Sequence, residues 1–86
     1  MRKRTRDDYE QAIRNVQFLI QEHLDEKISM DDLARAAGFS MFHFHRIFTA
    51  MVGETLGEHL LRLRMERAAF ELVYSSRSIP DIAFSA

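Results

Sequence analysis

Apolar side chains recur along this chain at intervals of three and four residues, which is the period of an α-helix. The first such stripe comprises Tyr9, Ile13, Val16, Ile20 and Leu24. Glycine and proline are scarce, with three and one in 86 residues, so little interrupts the helical period. We therefore expect an all-α fold that begins with a helix over residues 7–24.

Small polar residues and glycines divide the following segment into two helices. Ser29 is typical of an N-cap, and the short helix after it should end at Gly38, in the left-handed conformation of a tight turn. Ser40 then caps a third helix, which should run to about Val52 and end at Gly53. A short helix, a glycine turn and a second helix form the homeodomain-like helix-turn-helix arrangement.

The fourth helix should be the longest. Thr55 and Glu58 have the spacing of a capping box, and the helical pattern continues to about Tyr74. This helix carries two apolar stripes: one comprises Leu56, Leu60, Leu63, Phe70 and Tyr74, and the other comprises Leu61, Met65, Ala68 and Leu72. Because a surface helix needs one such stripe, the pattern predicts a connector that packs against two lobes.

A short internal repeat supports two lobes. Residues 29–34 and 78–83 share the pattern Ser-apolar-x-Asp-apolar-Ala, and the second copy follows the long helix. We therefore expect three parts in a single helical domain: a first helix-turn-helix lobe over residues 7–53, a connector helix over 55–75, and the start of a truncated second lobe over 78–86.

The third helix should have two different faces. Phe44, Ile47, Phe48 and Met51 form a contiguous apolar face for the core, whereas Phe42, His45, Arg46 and Thr49 lie on the opposite side. Arginine binds guanine O6 and N7, and apolar groups contact thymine methyls. These four outer residues are therefore the predicted base contacts.

The distribution of charged residues along the chain supports this assignment, although the net charge does not. The net charge is −1 and the pI about 6.4, which is mildly unfavourable for nucleic acid. Between Gly38 and Gly53, however, there is no acidic residue, only Arg46 and two histidines. This segment is where a polyanion can approach.

Other interpretations of the same residues remain open. An exposed Phe42 can cover a neighbouring loop, and Arg46 can be a solvated charge. The alternative function is a helical protein-interaction module that uses Phe42 and the second stripe of the fourth helix. His43 and His45 point about 200° apart on a helix and cannot share a metal ion, and His23 and His59 should be surface or half-buried. No metal or cofactor is predicted.

Other function classes lack their signatures. There is no nucleophile–base arrangement, phosphate-binding glycine loop or carboxylate pair in an apolar pocket, so no enzyme activity is expected. No apolar run is long enough to span a membrane. The absence of cysteine suits a reducing cytoplasm.

Several segments together resemble the AraC/XylS family of bacterial transcription regulators. They are residues 29–40 (SMDDLARAAGFS), 45–48 (HRIF), Gly53 and 62–69 (RLRMERAA), and the resemblance covers the chain from about residue 12. It implies two helix-turn-helix lobes joined by one long helix, each lobe placing a recognition helix in the major groove of double-stranded DNA. Phe42, His45 and Arg46 match the base-reading positions.

The same resemblance implies phosphate contacts at the start of the third helix. Ser40 and the neighbouring Met41 and His43 match the phosphate-contacting helix start, where backbone amides bind anions. Arg62 and Arg64 of the fourth helix either reach phosphates or are solvated, whereas Arg67 should pack its stem on apolar surface and pair with an acid.

The chain departs from the family pattern because the second lobe is cut off after its first helix begins. We therefore expect a fragment of a longer regulator, in which a small-molecule effector would bind a domain absent here. The second stripe of the connector would lack its intramolecular cover, so we expect a homodimer through that surface.

Overall fold

A computed structural model of the chain describes residues 5–74, which form four α-helices and no strand. They are α1 (Arg6–Glu22), α2 (Met30–Ala37), α3 (Met41–Val52) and α4 (Leu56–Tyr74). The predicted all-α fold is confirmed, and the predicted bounds of the helices agree to within two residues. The predicted start of a second lobe at 78–86 lies outside the described residues.

The predicted caps form local hydrogen bonds. The hydroxyls of Ser29 and Ser40 accept from the amides three residues later, at 3.3 and 3.1 Å. Thr55 and Glu58 make the reciprocal capping box: the Thr55 amide donates to the Glu58 carboxylate at 2.9 Å, and the Glu58 amide donates to the Thr55 hydroxyl at 3.2 Å. The chain reverses after α2 and α3 at Gly38 and Gly53, with φ of 78° and 89°.

The first helix differs from its prediction at both ends. It begins one residue earlier because Thr5 and Asp8 form a capping box. It ends at Glu22, and Leu24 follows in the turn yet remains buried with 3% exposure. The spacing Thr5-x-x-Asp8 was the available signal for this start.

The core of the lobe lies where α1, α2 and α3 pack together. Phe44 and Phe48 are fully buried at its centre, as their spacing predicted. The surrounding buried residues are Ile13, Val16, Ile20, Leu24, Leu33, Ala34, Ala37 and Leu56. Three helices of this size therefore share one continuous apolar core.

The inner face of α3 is narrower than predicted. Ile47 is half-buried against the core, but Met51, which was assigned to the core face, is 37% exposed. Met51 lies in the last turn of α3, beside a cleft whose α1 side carries Glu10, Arg14 and Gln17. Apart from Ile13, the α1 residues that line this cleft are polar, and the Met51 side chain lies at the rim of the core.

The apolar packing of α4 on the lobe comes from its first half. Leu56 is buried, and Leu60 and Leu63 pack against the core. Further along the helix, Phe70 and Tyr74 are 62% and 72% exposed and stack on each other with ring centroids 4.7 Å apart. No helix within residues 5–74 is long and apolar enough to cross a membrane.

Candidate nucleic-acid interface

The rotation of α3 is set by its two buried phenylalanines, and it leaves an aromatic and basic ridge exposed. Phe44 and Phe48 have no exposed surface, while Phe42 is 73% exposed and His45 and Arg46 are exposed. The structure thus brings three of the four predicted base-contacting side chains together on the outside of the lobe.

Within this ridge Phe42 and Arg46 contact each other. The Arg46 guanidinium carbon lies 5.7 Å from the centroid of the Phe42 ring, one helical turn away. Such a cation–π contact orders the guanidinium without occupying its N–H donors. In residues 5–74, no carboxylate forms a salt bridge with Arg46, whereas Arg35 pairs with Asp31 and Arg62 pairs with Glu54. The Arg46 donors therefore face outward and are available for acceptors on a ligand.

The start of α3 is the positive end of the helix dipole, and no acidic side chain in its first turn compensates this charge. Ser40 accepts from the His43 amide, and its carbonyl accepts from the Phe44 amide at 2.8 Å. No acidic residue lies in the first turn. The amide of Met41, at the first helical position, belongs to the group of N–H donors that a helix leaves unsatisfied. This helix start suits an anion such as a phosphate.

The imidazole of His43 is held beside this helix start by two aromatic rings. Its centroid lies 5.1 Å from Phe39 in the turn and 5.9 Å from Tyr9 in α1, in edge-to-face geometry. Phe39 and Tyr9 are themselves 5.8 Å apart. The cluster fixes the turn against α1 while leaving His43 exposed. The position of the turn therefore depends on α1 as well as on Gly38.

Thr49, the fourth predicted base contact, is placed differently. Its Oγ1 is buried and forms no hydrogen bond to any residue of the described part of the chain. A threonine inside a helix often satisfies its hydroxyl with the carbonyl one turn earlier, and this one does not. The hydroxyl is thus not presented to a ligand on the outer face.

The side chain of Arg62 is occupied by carboxylates. Its Nη2 and Nε lie 2.7 and 3.0 Å from Glu54 Oε1, and its Nη1 lies 2.9 Å from Glu66. The hydrogen bonds from Arg62, and then one with His59, lower the pKa of Glu54, and the same carboxylates raise the pKa of Arg62. The charge of Arg62 is therefore largely neutralised within α4 and the preceding turn.

His59 was expected at the surface or half-buried, and this prediction is wrong. It is 5% exposed, with its Nδ1 2.8 Å from Glu54 Oε1 and its ring edge-to-face with Phe48 at 5.3 Å. Sequence spacing gave no signal, because Glu54 precedes α4 and Phe48 belongs to another helix. His59 therefore links the core to the charged network around Arg62.

Arg64, the other predicted phosphate contact of α4, binds backbone carbonyls of the lobe. Its Nε and Nη2 donate to the carbonyls of Leu24 and Glu26 at 3.1 and 2.9 Å. Arg67 was expected to pair with an acid, but it donates to the Gln21 carbonyl at 3.4 Å. Both arginines thus have partners in and after α1.

The two histidines of α3 do not create a metal site. No group of three or more His, Cys, Asp or Glu side chains within residues 5–74 is arranged to hold a metal ion. His43 packs on aromatic rings, and His45 lies on the exposed ridge.

The sequence of this chain is similar to a helix-turn-helix family model and to proteins named as regulators. A family model described as a helix-turn-helix domain matches residues 33–86. The uncharacterized HTH-type transcriptional regulator YbfP of Bacillus subtilis is 40% identical over 75 residues, 87% of this chain and 25% of its own length. The regulatory protein SoxS of Salmonella typhimurium is 35% identical over 75 residues, 87% of this chain and 70% of its own length.

A third relative is named for a different role. The right origin-binding protein of Escherichia coli K12 is 34% identical over 71 residues, 83% of this chain and 25% of its own length. The chain therefore spans about a quarter of the length of this protein and of YbfP. What the relatives share with it is the segment that contains the helix-turn-helix.

Proposed function

Because the chain belongs to the AraC/XylS family of bacterial transcription regulators, we propose that α3 lies in the major groove of double-stranded DNA and reads its sequence. The observation that carries the proposal is the exposed, acid-free ridge of α3, on which Arg46 stacks on Phe42 with its donors free. Phe42, His45 and Arg46 face the bases. The function is one of binding, without catalysis, in the cytoplasm where bacterial DNA lies.

Phosphate contacts come from the start of α3 in this proposal. Ser40 and Met41 offer backbone groups at the positive end of the helix, and His43 extends beside them. Arg62 and Arg64 would first have to release their partners Glu54, Glu66 and the carbonyls of the lobe. Phosphate contact by these two arginines therefore stays a prediction that only a complex with DNA can test.

The test is binding of this chain to duplex DNA selected from a random pool, followed by fluorescence anisotropy. Arg46→Ala should lose about 1–3 kcal/mol on the selected site, roughly 5- to 150-fold in affinity, if the guanidinium binds guanine in bidentate fashion. On unselected DNA the loss should be smaller, since only one phosphate-steering charge disappears.

Arg14→Ala is the matched control. It removes the same charge from an exposed position on α1, where the Arg14 side chain donates to Gln11 one turn earlier. Its effect on selected and unselected DNA should be equal and small. Equal losses for Arg46→Ala and Arg14→Ala on the selected site would contradict base reading by α3.

The protein-interaction alternative is not favoured, because the relatives named as regulators or as origin-binding all match the segment that contains α3. Salt distinguishes the two functions. Binding to DNA should weaken steeply as the salt concentration rises. The protein displaces cations that are condensed on the phosphates, and a higher salt concentration opposes the release of these cations. Binding to a protein through apolar side chains should depend little on salt.

We also propose that this chain self-associates through the outer α4 face, formed by Leu61, Met65, Ala68 and Leu72. Leu61 and Met65 are 62% and 63% exposed, and Leu72 is 48% exposed. Each such side chain gains roughly 1.5–3 kcal/mol when fully buried. Sedimentation should show a concentration-dependent dimer that Met65→Gln weakens, and a strict monomer at high concentration would contradict it.

The repeat at 78–86 is proposed to begin a second lobe. Its support is the sequence pattern shared with residues 29–34 and the family match, which extends to residue 86. We propose no effector site among residues 5–74. A small-molecule effector is proposed to bind outside the region that this chain shares with its longer relatives.

A further inference from the structure

Two arginines of α4 bind backbone carbonyls at the end of α1 and in the turn that follows it. Arg64 donates two hydrogen bonds, to the carbonyls of Leu24 and Glu26, and Arg67 donates one to the carbonyl of Gln21. These residues are 38 to 46 positions apart in the chain. The contacts are therefore tertiary, and no local pattern produces them.

The end of α1 has a physical need for such partners. The last carbonyls of a helix have no intrahelical donor, and the helix dipole concentrates negative charge there. The last turn of α1 contains no basic residue, and Glu22, Asp25 and Glu26 add further negative charge. Arg67 donates to a carbonyl in the last turn of α1, Arg64 donates to two carbonyls of the turn that follows it, and both bring positive charge to this end of the helix.

The place of these bonds along α4 matters for the direction of the helix. Apolar packing holds its first two turns, where Leu56 is buried and Leu60 and Leu63 contact the core. One further turn is held by Arg64 and Arg67. Beyond them the large apolar side chains are strongly exposed: Phe70 62%, Leu72 48%, Val73 69% and Tyr74 72%.

We propose that Arg64 and Arg67 are positioning residues that fix the angle of α4 relative to the lobe. Leu56 is buried near one end of the helix and acts as a pivot, whereas Leu60 and Leu63 are only partly buried, so without the two arginines α4 can change its angle about its N-terminal turn. A bond two or three turns away from the pivot restrains this swing, because directed hydrogen bonds, unlike apolar contacts, tolerate little change in angle.

The consequence for DNA rests on the proposed function. With α4 fixed, Tyr74 at the end of the helix is held at a set distance from the outer side of α3. A second DNA-contacting unit can then meet the duplex at a defined spacing from the first. The angle itself is a property of the free protein and does not depend on DNA binding.

The test is a distance measurement by pulsed electron paramagnetic resonance on the free protein. The chain contains no cysteine, so Phe18→Cys on α1 and Val73→Cys on α4, both at exposed positions, give two unique spin-label sites. The otherwise unchanged chain should give one narrow distance distribution. Adding Arg64→Met and Arg67→Met should broaden the distribution and shift its centre.

Controls separate positioning from loss of fold. Arg14→Met removes an exposed arginine of α1 that bonds Gln11 and should leave the distribution narrow. Arg64→Lys, which keeps one donor group and the charge, should give an intermediate width. Circular dichroism of each variant should report unchanged helix content, since the side chains of the apolar core are intact.

A narrow and unshifted distribution in the double methionine variant would overturn the proposal. If that variant does not fold, Arg67→Met alone still tests it, because it removes the bond farthest from Leu56 and should broaden the distribution relative to Arg14→Met; equal widths for these two variants would overturn the proposal. Since the sample contains no DNA, failure here leaves the assignment of α3 untouched, and failure of Arg46→Ala to weaken DNA binding leaves the positioning role untouched.

Discussion

Replacing Thr49 with valine should stabilise the protein. The Thr49 hydroxyl is buried without a hydrogen-bond partner among the described residues, so folding removes it from water and returns nothing. Mutational data put the cost of such a group at about 1–3 kcal/mol. Valine has the same branched shape and nearly the same helix propensity, so it adds neither a cavity nor a backbone penalty.

The expected gain in the free energy of unfolding is about 1–2 kcal/mol, which for a chain of this length raises Tm by roughly 4–8 °C per kcal/mol. Urea unfolding followed by circular dichroism measures it, and the m-value should not change because the same surface is exposed on unfolding. Thr49→Ser is the opposite control: it keeps the hydroxyl, removes a methyl group and should lose about 1 kcal/mol.

Either of two results would refute this reasoning. A valine variant less stable than the parent would show that the hydroxyl has a partner in solution. A tenfold loss of affinity for the selected DNA duplex, with stability raised, would show that the Thr49 side chain rotates outward to contact a base. We expect DNA affinity to be unchanged, because the hydroxyl does not lie on the exposed ridge of α3.

The two glycines near the start of α4 should respond in opposite directions to alanine. Gly53 has a φ of +89° and open space where a Cβ would lie, so Gly53→Ala should lower the free energy of unfolding by about 1–2 kcal/mol through backbone strain alone. Gly57 is helical and has the same open space, so Gly57→Ala should raise the free energy of unfolding by about 0.5–1 kcal/mol. Urea unfolding checks both, and effects of equal sign would contradict the assignment. The pKa of Glu54 is lowered in the folded state by its hydrogen bonds to Arg62 and His59. The ionised Glu54 therefore stabilises the fold at pH values above the ordinary pKa of 4.5. This stabilisation is lost as the pH falls through the lower pKa of the folded state. Glu54→Gln should therefore be less stable at neutral pH and lose less stability on acidification, and parallel acid unfolding curves for the two proteins would count against this network.

The exposed ridge of α3 shows how far the local sequence could predict the candidate site. The spacing of Phe44 and Phe48 fixed which side of the helix is buried, and it thereby placed Phe42, His45 and Arg46 outside. The prediction was wrong at the boundary between the faces for Met51, and the contact with a base by Thr49, whose hydroxyl is buried in the free protein, stays a prediction. At such positions a small rotation of the helix and the polarity of the facing helix decide burial, and neither is encoded in the period of the sequence.

Within residues 5–74 the sequence by itself determined the four helices and their ends, apart from the two ends of α1. A cap is a bond between residues three apart, as for Ser40 with His43 or Thr55 with Glu58, and a left-handed turn depends on one glycine. These interactions need no other part of the chain, so their residue types and spacing suffice.

Only the tertiary structure decided the roles of His59 and of the α4 arginines. His59 is buried because packing places it between Phe48 and Glu54. Arg64 and Arg67 bind carbonyls of residues 40 and 46 positions earlier in the chain, which the packing of α4 on the lobe brings within hydrogen-bond distance. Backbone carbonyls are present at every residue, so no pattern of side chains shows which one a distant arginine meets until the helices have packed.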